Sequence, residues 1–331
     1  MALSEDRSEE ITRYVSGIWS NIMGIHDRQY TYDTDLFPSI AGIAKACGGF
    51  LEDTYIAGMW KRNLHTELVW EMRGAPPGSL DTTLEDICHP APYIAPSWSW
   101  ASRFKYGFEF IVPDAYIIPG TSGSDPAPHG FVACEGAPSH IRSEVTFIDY
   151  NVALEFDKPY GRIKHASLIL RGKLVPLPPI ITSLPRSNER HRQDHLADKL
   201  GTVTFDWKVP IDAAQEVRDL KILLLASCCQ ATSNEVLEYW ANPEEDHAAT
   251  FSEGPPAIGV GETGSSYGKE NEVLTCLSCG DKDRGRNGWG IILHPAHISG
   301  AYVRVGVCQL YGGSGALNIF RDEVDRDVKI V

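Results

Sequence analysis

A histidine next to an aspartate, in the run Gly24-Ile25-His26-Asp27-Arg28-Gln29-Tyr30, is the strongest acid–base candidate in this chain. A free imidazole titrates near about pH 6.5, so His26 can exchange protons close to neutrality. The end of a helix and an adjoining carboxylate would both favour its charged form. Such a group can take a proton from a phenol or an enol and give one back to carbon. Tyr32 and Arg103 are the candidates to steady the oxyanion that develops during that transfer. Tyr160 and His165 are candidates for the polar edge of a substrate pocket, whereas Arg171 and Arg304 read as structural. A hydrogen-bonded or surface His26 with no catalytic task stays open, because geometry decides between the two.

Aromatic residues supply the second candidate feature. Trp60, Trp98 and Trp100, with Trp70, Tyr55 and Tyr93, could wall a pocket for a planar ligand. In Pro96-Ser97-Trp98-Ser99-Trp100 the two indoles would share one face if the segment were a strand. Packing in the core is the competing reading of the same residues.

Other chemistries fit less well. Cys276-x-x-Cys279 with His294-Pro295-Ala296-His297 loosely imitates a zinc site, but the histidine spacing is short and Pro295 stiffens it. Gly259-x-Gly261-x-x-Gly264 satisfies the dinucleotide fingerprint formally, yet Pro255-Pro256 stands where a strand should lead in. There is no phosphate loop ending in Gly-Lys-Ser/Thr. The expectation is a protein without metal or cofactor.

With 44 acidic and 30 basic residues the formal net charge is −14, the wrong sign for a phosphate backbone, so nucleic acid is not an expected partner. No run of 18 apolar residues exists to span a membrane, and the amino terminus lacks the basic and apolar regions of a signal peptide. The eight cysteines are scattered, and Cys47 and Cys308 fall in apolar runs, which suits buried thiols in a reducing cytoplasm. Oligomeric state is not legible.

The elements that must position these residues follow from periodicity. Ile11, Tyr14, Val15, Ile18, Trp19, Ile22 and Met23 make one helical stripe over 8–25. A second helix is predicted from Phe37 to Cys47, with Asp35 as cap, Pro38 in the first turn and Gly48-Gly49 as the stop. Residues 74–96 read as a Pro/Gly-rich loop. Strands are predicted over 107–112, 145–156, 162–174, 201–207, 220–227, 289–293, 301–310 and 326–331, with long connections at 119–140, 176–199 and 252–286. The expected fold class is α+β: an antiparallel β-barrel or curved β-sandwich with packed N-terminal helices. The helical, tryptophan-bearing region would occupy 1–110 and the β region 111–331, together forming one compact unit.

Tyr55-Ile56-Ala57-Gly58-Met59-Trp60, Leu68-Val69-Trp70 and Pro96-Ser97-Trp98-Ser99-Trp100 resemble the second half of fungal heterokaryon-incompatibility (HET) domain proteins. Tyr32, Asp35, Ile40, Gly42 and Ala44, and the later pieces Asp157–Gly161, Leu170-Arg171-Gly172, Phe205-Asp206 and Tyr302–Gly306, extend the resemblance. The α/β half with a Leu-Ser-Tyr-x-Trp-Gly type motif, which precedes this pattern in that family, is absent from this sequence. The pattern usually has Tyr-Ser where this chain has His26-Asp27. The expected function is a cofactor-independent isomerase or cyclase acting on a phenolic or polyketide-like aromatic small molecule, for example ring closure of the chalcone-to-flavanone type. The alternative is a non-enzymatic interaction or regulatory module.

Overall fold

The computed structural model describes residues 30–74, 76, 78–111, 141–156, 158–178, 200–207, 219–229, 286–312 and 315–331. The predicted helix over 8–25, His26 itself, Cys276, Cys279 and the Gly259–Gly264 run lie outside them.

The described chain opens with helix α1, Leu36–Leu51. Its buried side chains, Leu36, Phe37, Ile40, Ala44, Cys47 and Leu51, recur at three- and four-residue spacing and form the stripe that faces the core. The predicted stop at Gly48-Gly49 is corrected: the helix continues to Leu51 and ends where Glu52 takes a left-handed conformation (φ 48°) and bonds back to Gly48 O at 3.1 Å. Gly48 serves close approach instead. A Cβ there would stand 3.0 Å from Tyr160 Oη and 3.3 Å from the Trp60 ring. Asp35 precedes the helix without capping it through its side chain, because its carboxylate is engaged by Arg162 at 2.6 Å.

The two-residue strands β1 (Tyr55–Ile56) and β2 (Met59–Trp60) form a hairpin through Ala57-Gly58, followed by the single-turn helix α2 (Leu64–Glu67) and β3 (Trp70–Met72). The expected loop over 74–96 contains a helix, α3 (Leu80–Cys88). Its start was legible as Ser79-x-x-Thr82. The Ser79 hydroxyl accepts from Thr82 N–H at 3.2 Å, and the Thr82 hydroxyl accepts from Ser79 N–H at 2.8 Å. Asp81, Glu85 and Asp86 therefore sit on a helix and not in a loop. Trp100–Tyr106 is a 3-10 segment, so Trp98 and Trp100 are not on a strand. Strand β4 (Phe108–Phe110) then pairs with β3.

The predicted β region forms one nine-stranded sheet. Its members are β5 (Ile141–Ser143), β6 (Val145–Leu154), β7 (Ile163–Gly172), β8 (Leu174–Pro176), β9 (Gly201–Phe205), β10 (Lys221–Cys229), β11 (Arg286–Pro295), β12 (Ala301–Leu310) and β13 (Arg326–Ile330). The main path runs β5-β10-β11-β12-β13-β7-β6, with β8 on β10 and β9 on β12; every pair is antiparallel except β12–β13. The α+β class and the largely antiparallel sheet are as expected.

Both faces of the central strands are covered, which explains the unbroken apolar runs of β10 and β11. Along β10, Leu223 and Leu225 join the core beneath α1 and the tryptophans, whereas Ile222 and Leu224 join a second cluster with Trp207, Leu310 and Phe320. The larger cluster unites side chains of α1, the hairpin and the 3-10 segment with those of β7, β10, β11 and β13. Residues from either side of position 110 thus share a single interior. Among the described residues no helix is long and apolar enough to cross a membrane.

Candidate functional site

Trp70 is the pivot of the polar structure inside the larger core. Its indole N–H donates to Trp98 O at 3.0 Å, and its ring lies 3.3 Å from the guanidinium carbon of Arg304. Arg304 comes from β12 and has no solvent exposure. It donates to Asp206 at 2.7 Å, immediately after β9, and to Trp70 O. Burial pushes Arg304 down to about 10 while the Asp206 carboxylate opposes the shift, so the group remains a cation at neutral pH. Asp206 was missed as a partner from sequence; its signal was a carboxylate held between two large aromatics, Phe205 and Trp207. Arg171, by contrast, makes a half-exposed cross-strand pair with Asp327 at 2.7 Å.

Serines tie the Trp98 turn to this centre. The Ser97 hydroxyl donates to Val331 O and accepts from Arg304 N–H at 3.0 Å. Ser99 donates to Ala57 O at 2.7 Å and Trp100 Nε1 to Gly58 O at 2.9 Å, so the Tyr55–Trp60 hairpin and the Trp98–Trp100 turn are clamped together. Gly58 is required here: φ is 96°, and a Cβ would come 2.8 Å from Trp100 Nε1.

Trp60, Trp98 and Trp100 are each at most 3% exposed. The Trp100 ring stacks on Phe108 and meets Phe37 edge-on, while Tyr55 meets Trp60 edge-on. Trp60 and Trp100 thus pack against protein rings, and all three indoles are buried in the core. Tyr160 is half-buried against Tyr55, with ring centroids 5.1 Å apart, and burial raises the Tyr55 hydroxyl far above its ordinary value. His165 is exposed on β7 opposite Ala153, and Tyr32 is exposed just before α1. Tyr32 and His165 are thus exposed, Tyr160 is half-buried and Arg103 is buried. His297 stacks on His89 at 6.0 Å and His294 contacts its neighbour Pro295 O; among the described residues no group of three His, Cys, Asp or Glu is placed to hold a metal.

Arg103 is the sequence candidate that does meet a pocket. It is 7% exposed, donates to Thr83 O at 3.3 Å and stands 3.8 Å from the Asp86 carboxylate. With Asp86, Ile87, Pro92, Ile94, Ser97 and Ser102 it borders a space of about 40 Å³ between α3 and the Trp98 turn. The residue after it, Phe104, receives the edge of Tyr30 (ring centroids 5.7 Å), and Lys105 pairs with Asp33 at 2.5 Å. The stretch leading into α1 is thereby pinned along the 3-10 segment.

No protein-family model, curated protein or solved structure matches this chain.

Proposed function

We propose that the chain is a cofactor-independent isomerase or cyclase acting by acid–base catalysis on a phenolic or polyketide-like small molecule, a cytoplasmic activity of fungal secondary metabolism. The observation that carries this reading is the contact of Tyr30 with Phe104, next to Arg103. His26 precedes Tyr30 by four residues, and four residues span at most about 14 Å. The imidazole lies outside the described residues, and this tether is what the reading relies on to bring it towards Arg103.

In the reaction, His26 takes the phenolic proton as the oxygen attacks the β-carbon of an enone. A C–O bond forms, the enone π electrons move onto the carbonyl oxygen as an enolate, and Arg103 or Tyr32 stabilises that charge. The proton then returns to the α-carbon. Nothing is oxidised or reduced, so no cofactor is called for. Holding the folded conformer supplies the orientation contribution.

The β-barrel belongs to this reading. The two ends of the sheet path, β5 and β6, are consecutive in the chain with only Glu144 between them, and Glu144 N–H bonds Leu225 O at 2.8 Å on β10. The HET resemblance likewise rests on the tryptophan motifs, which this structure uses as the hairpin–turn clamp.

The experiment compares the wild type with His26→Ala on a panel of phenolic enones, following ring closure by absorbance. Wild-type turnover that falls by about 10²-fold or more in the variant supports the assignment. Equal rates remove it.

A second reading, a non-enzymatic interaction module, is favoured by the burial of Trp60, Trp98 and Trp100 in the core. The absence of turnover on every enone in the panel, by a chain that is folded, would favour it.

A further inference from the structure

The pocket beside Arg103 has a composition that the catalytic reading leaves unused. One end is cationic. Its walls are Ile87, Pro90, Pro92 and Ile94, and its volume of about 40 Å³ holds roughly three water-sized groups. That is too little for an aromatic ring and enough for the three heavy atoms of a carboxylate group, with any aliphatic tail left at the pocket mouth.

The guanidinium has donors to spare. Arginine carries five N–H groups in a rigid fork. Among the described residues Arg103 makes one hydrogen bond, at 3.3 Å to Thr83 O, and Asp86 at 3.8 Å is beyond hydrogen-bond length. Few of its N–H groups are therefore taken up by described residues, and the fork borders the pocket. Charge favours the same occupant. Arg103 and Arg304 are close enough to repel, and the buried Asp206 is committed to Arg304. Glu71 adds negative charge near Arg304, and Asp86, 65% exposed, stands 3.8 Å from Arg103. The two Ser hydroxyls on the wall spend their protons on carbonyls: Ser97 on Val331 O and Ser102 on Ser99 O. The guanidinium is therefore the donor that selects the ligand.

We infer that this pocket binds the carboxylate of a small aliphatic acid, or of a short aliphatic arm on a larger substrate, on the Arg103 fork. Asp86 is the internal competitor that the ligand displaces into solvent. Planar two-point pairing with a carboxylate is what the guanidinium geometry provides. This deepens the catalytic reading, since Arg103 serves both, but it does not need turnover to be tested.

The test is a nitrogen–proton NMR titration of the full chain with propionate, with propionamide as its neutral counterpart, reading the Ser102 and Arg103 amides and Arg103 Nε. Saturable shifts with propionate alone are expected, at an affinity on the order of 1 mM given so few atoms. Asp86→Asn removes the competitor on an exposed side chain and is expected to tighten binding by roughly 3- to 10-fold. Arg103→Met is expected to abolish it. If Arg103→Met does not fold, the comparison of wild type with Asp86→Asn decides. Equal responses to acid and amide, no response to either (ordered water only), or weaker binding by Asp86→Asn would each overturn the proposal. Propionate binding without enone turnover would keep this site and remove the catalysis; turnover without propionate binding would do the reverse.

Discussion

Arg304 lies flat over Trp70, 3.3 Å from guanidinium carbon to ring centroid, while one nitrogen of its fork holds Asp206 at 2.7 Å. A cation taken wholly out of water has exchanged its hydration for one carboxylate, one carbonyl and a π face. A buried pair of this kind contributes little relative to apolar residues of the same shape, but breaking it on one side leaves a charge unpaired. Asp206→Ala is expected to lower the unfolding free energy by about 3–5 kcal/mol. The double variant Arg304→Met, Asp206→Leu should lose distinctly less. Urea midpoints at unchanged slope check both; equal losses would mean that packing and not charge sets the cost.

Two neighbouring glycines of α1 should respond in opposite directions. Gly49 has nothing within 4 Å of a Cβ, so Gly49→Ala gains helix propensity alone and is expected to stabilise by about 0.5–1 kcal/mol. Gly48 faces Tyr160 Oη and the Trp60 ring at 3.0 and 3.3 Å, so Gly48→Val must push aside an aromatic pair and is expected to cost about 1–3 kcal/mol. Thermal unfolding of the two variants against wild type gives the sign directly.

Ser99 joins two segments that are far apart in sequence. Replacing it by Ala removes the 2.7 Å bond to Ala57 O and the 3.2 Å contact with Ala101 N–H, both buried. The expected loss is about 1–3 kcal/mol, from the carbonyl left without that donor. Faster amide exchange over 55–60 in the variant, with the β7–β13 pairing unaffected, would locate the damage at the clamp.

His65 carries a pH dependence with a definite sign. Burial lowers its pKa below the ordinary 6.5, so the fold holds it neutral while the unfolded chain takes up a proton. The unfolded state therefore binds more protons in the interval between the two values, and stability rises with pH there. The contribution of His65 is complete above about pH 6.5 and is lost as pH falls towards its depressed value. His65→Gln is expected to flatten that part of the stability–pH curve; an unchanged slope would rule out His65 as its origin.

Much of the fold could be read from residue order. The period of two in 145–154 and 301–310, and the apolar runs at 220–227 and 289–293, placed those strands within a few residues, because alternation and length are local properties. Helix α1, predicted over Phe37–Cys47 from Pro38 in its first turn and the flanking residues, runs over Leu36–Leu51. Its end was not legible, because Gly48 looks like a stop to any local rule and owes its presence to two rings that arrive from elsewhere. Helix α3 was overlooked in a stretch rich in proline, although Ser79 and Thr82 announced its start.

Chemistry divides the same way. The sequence by itself determined which residues are the candidates to move protons or carry charge, His26, Tyr32 and Arg103, with no phosphate loop among them. It also determined that Trp60, Trp98 and Trp100 form a unit. Only the tertiary structure decided what that unit does, since a tryptophan's role depends on what covers its face, and here Phe37, Phe108 and Tyr55 do. The same holds for charge. Arg304 and Arg103 are alike in sequence, yet one is neutralised by Asp206 across 98 residues while the other borders a pocket. Burial and partners separated by such distances are set by how the sheet and α1 close on one another, and no local pattern encodes that.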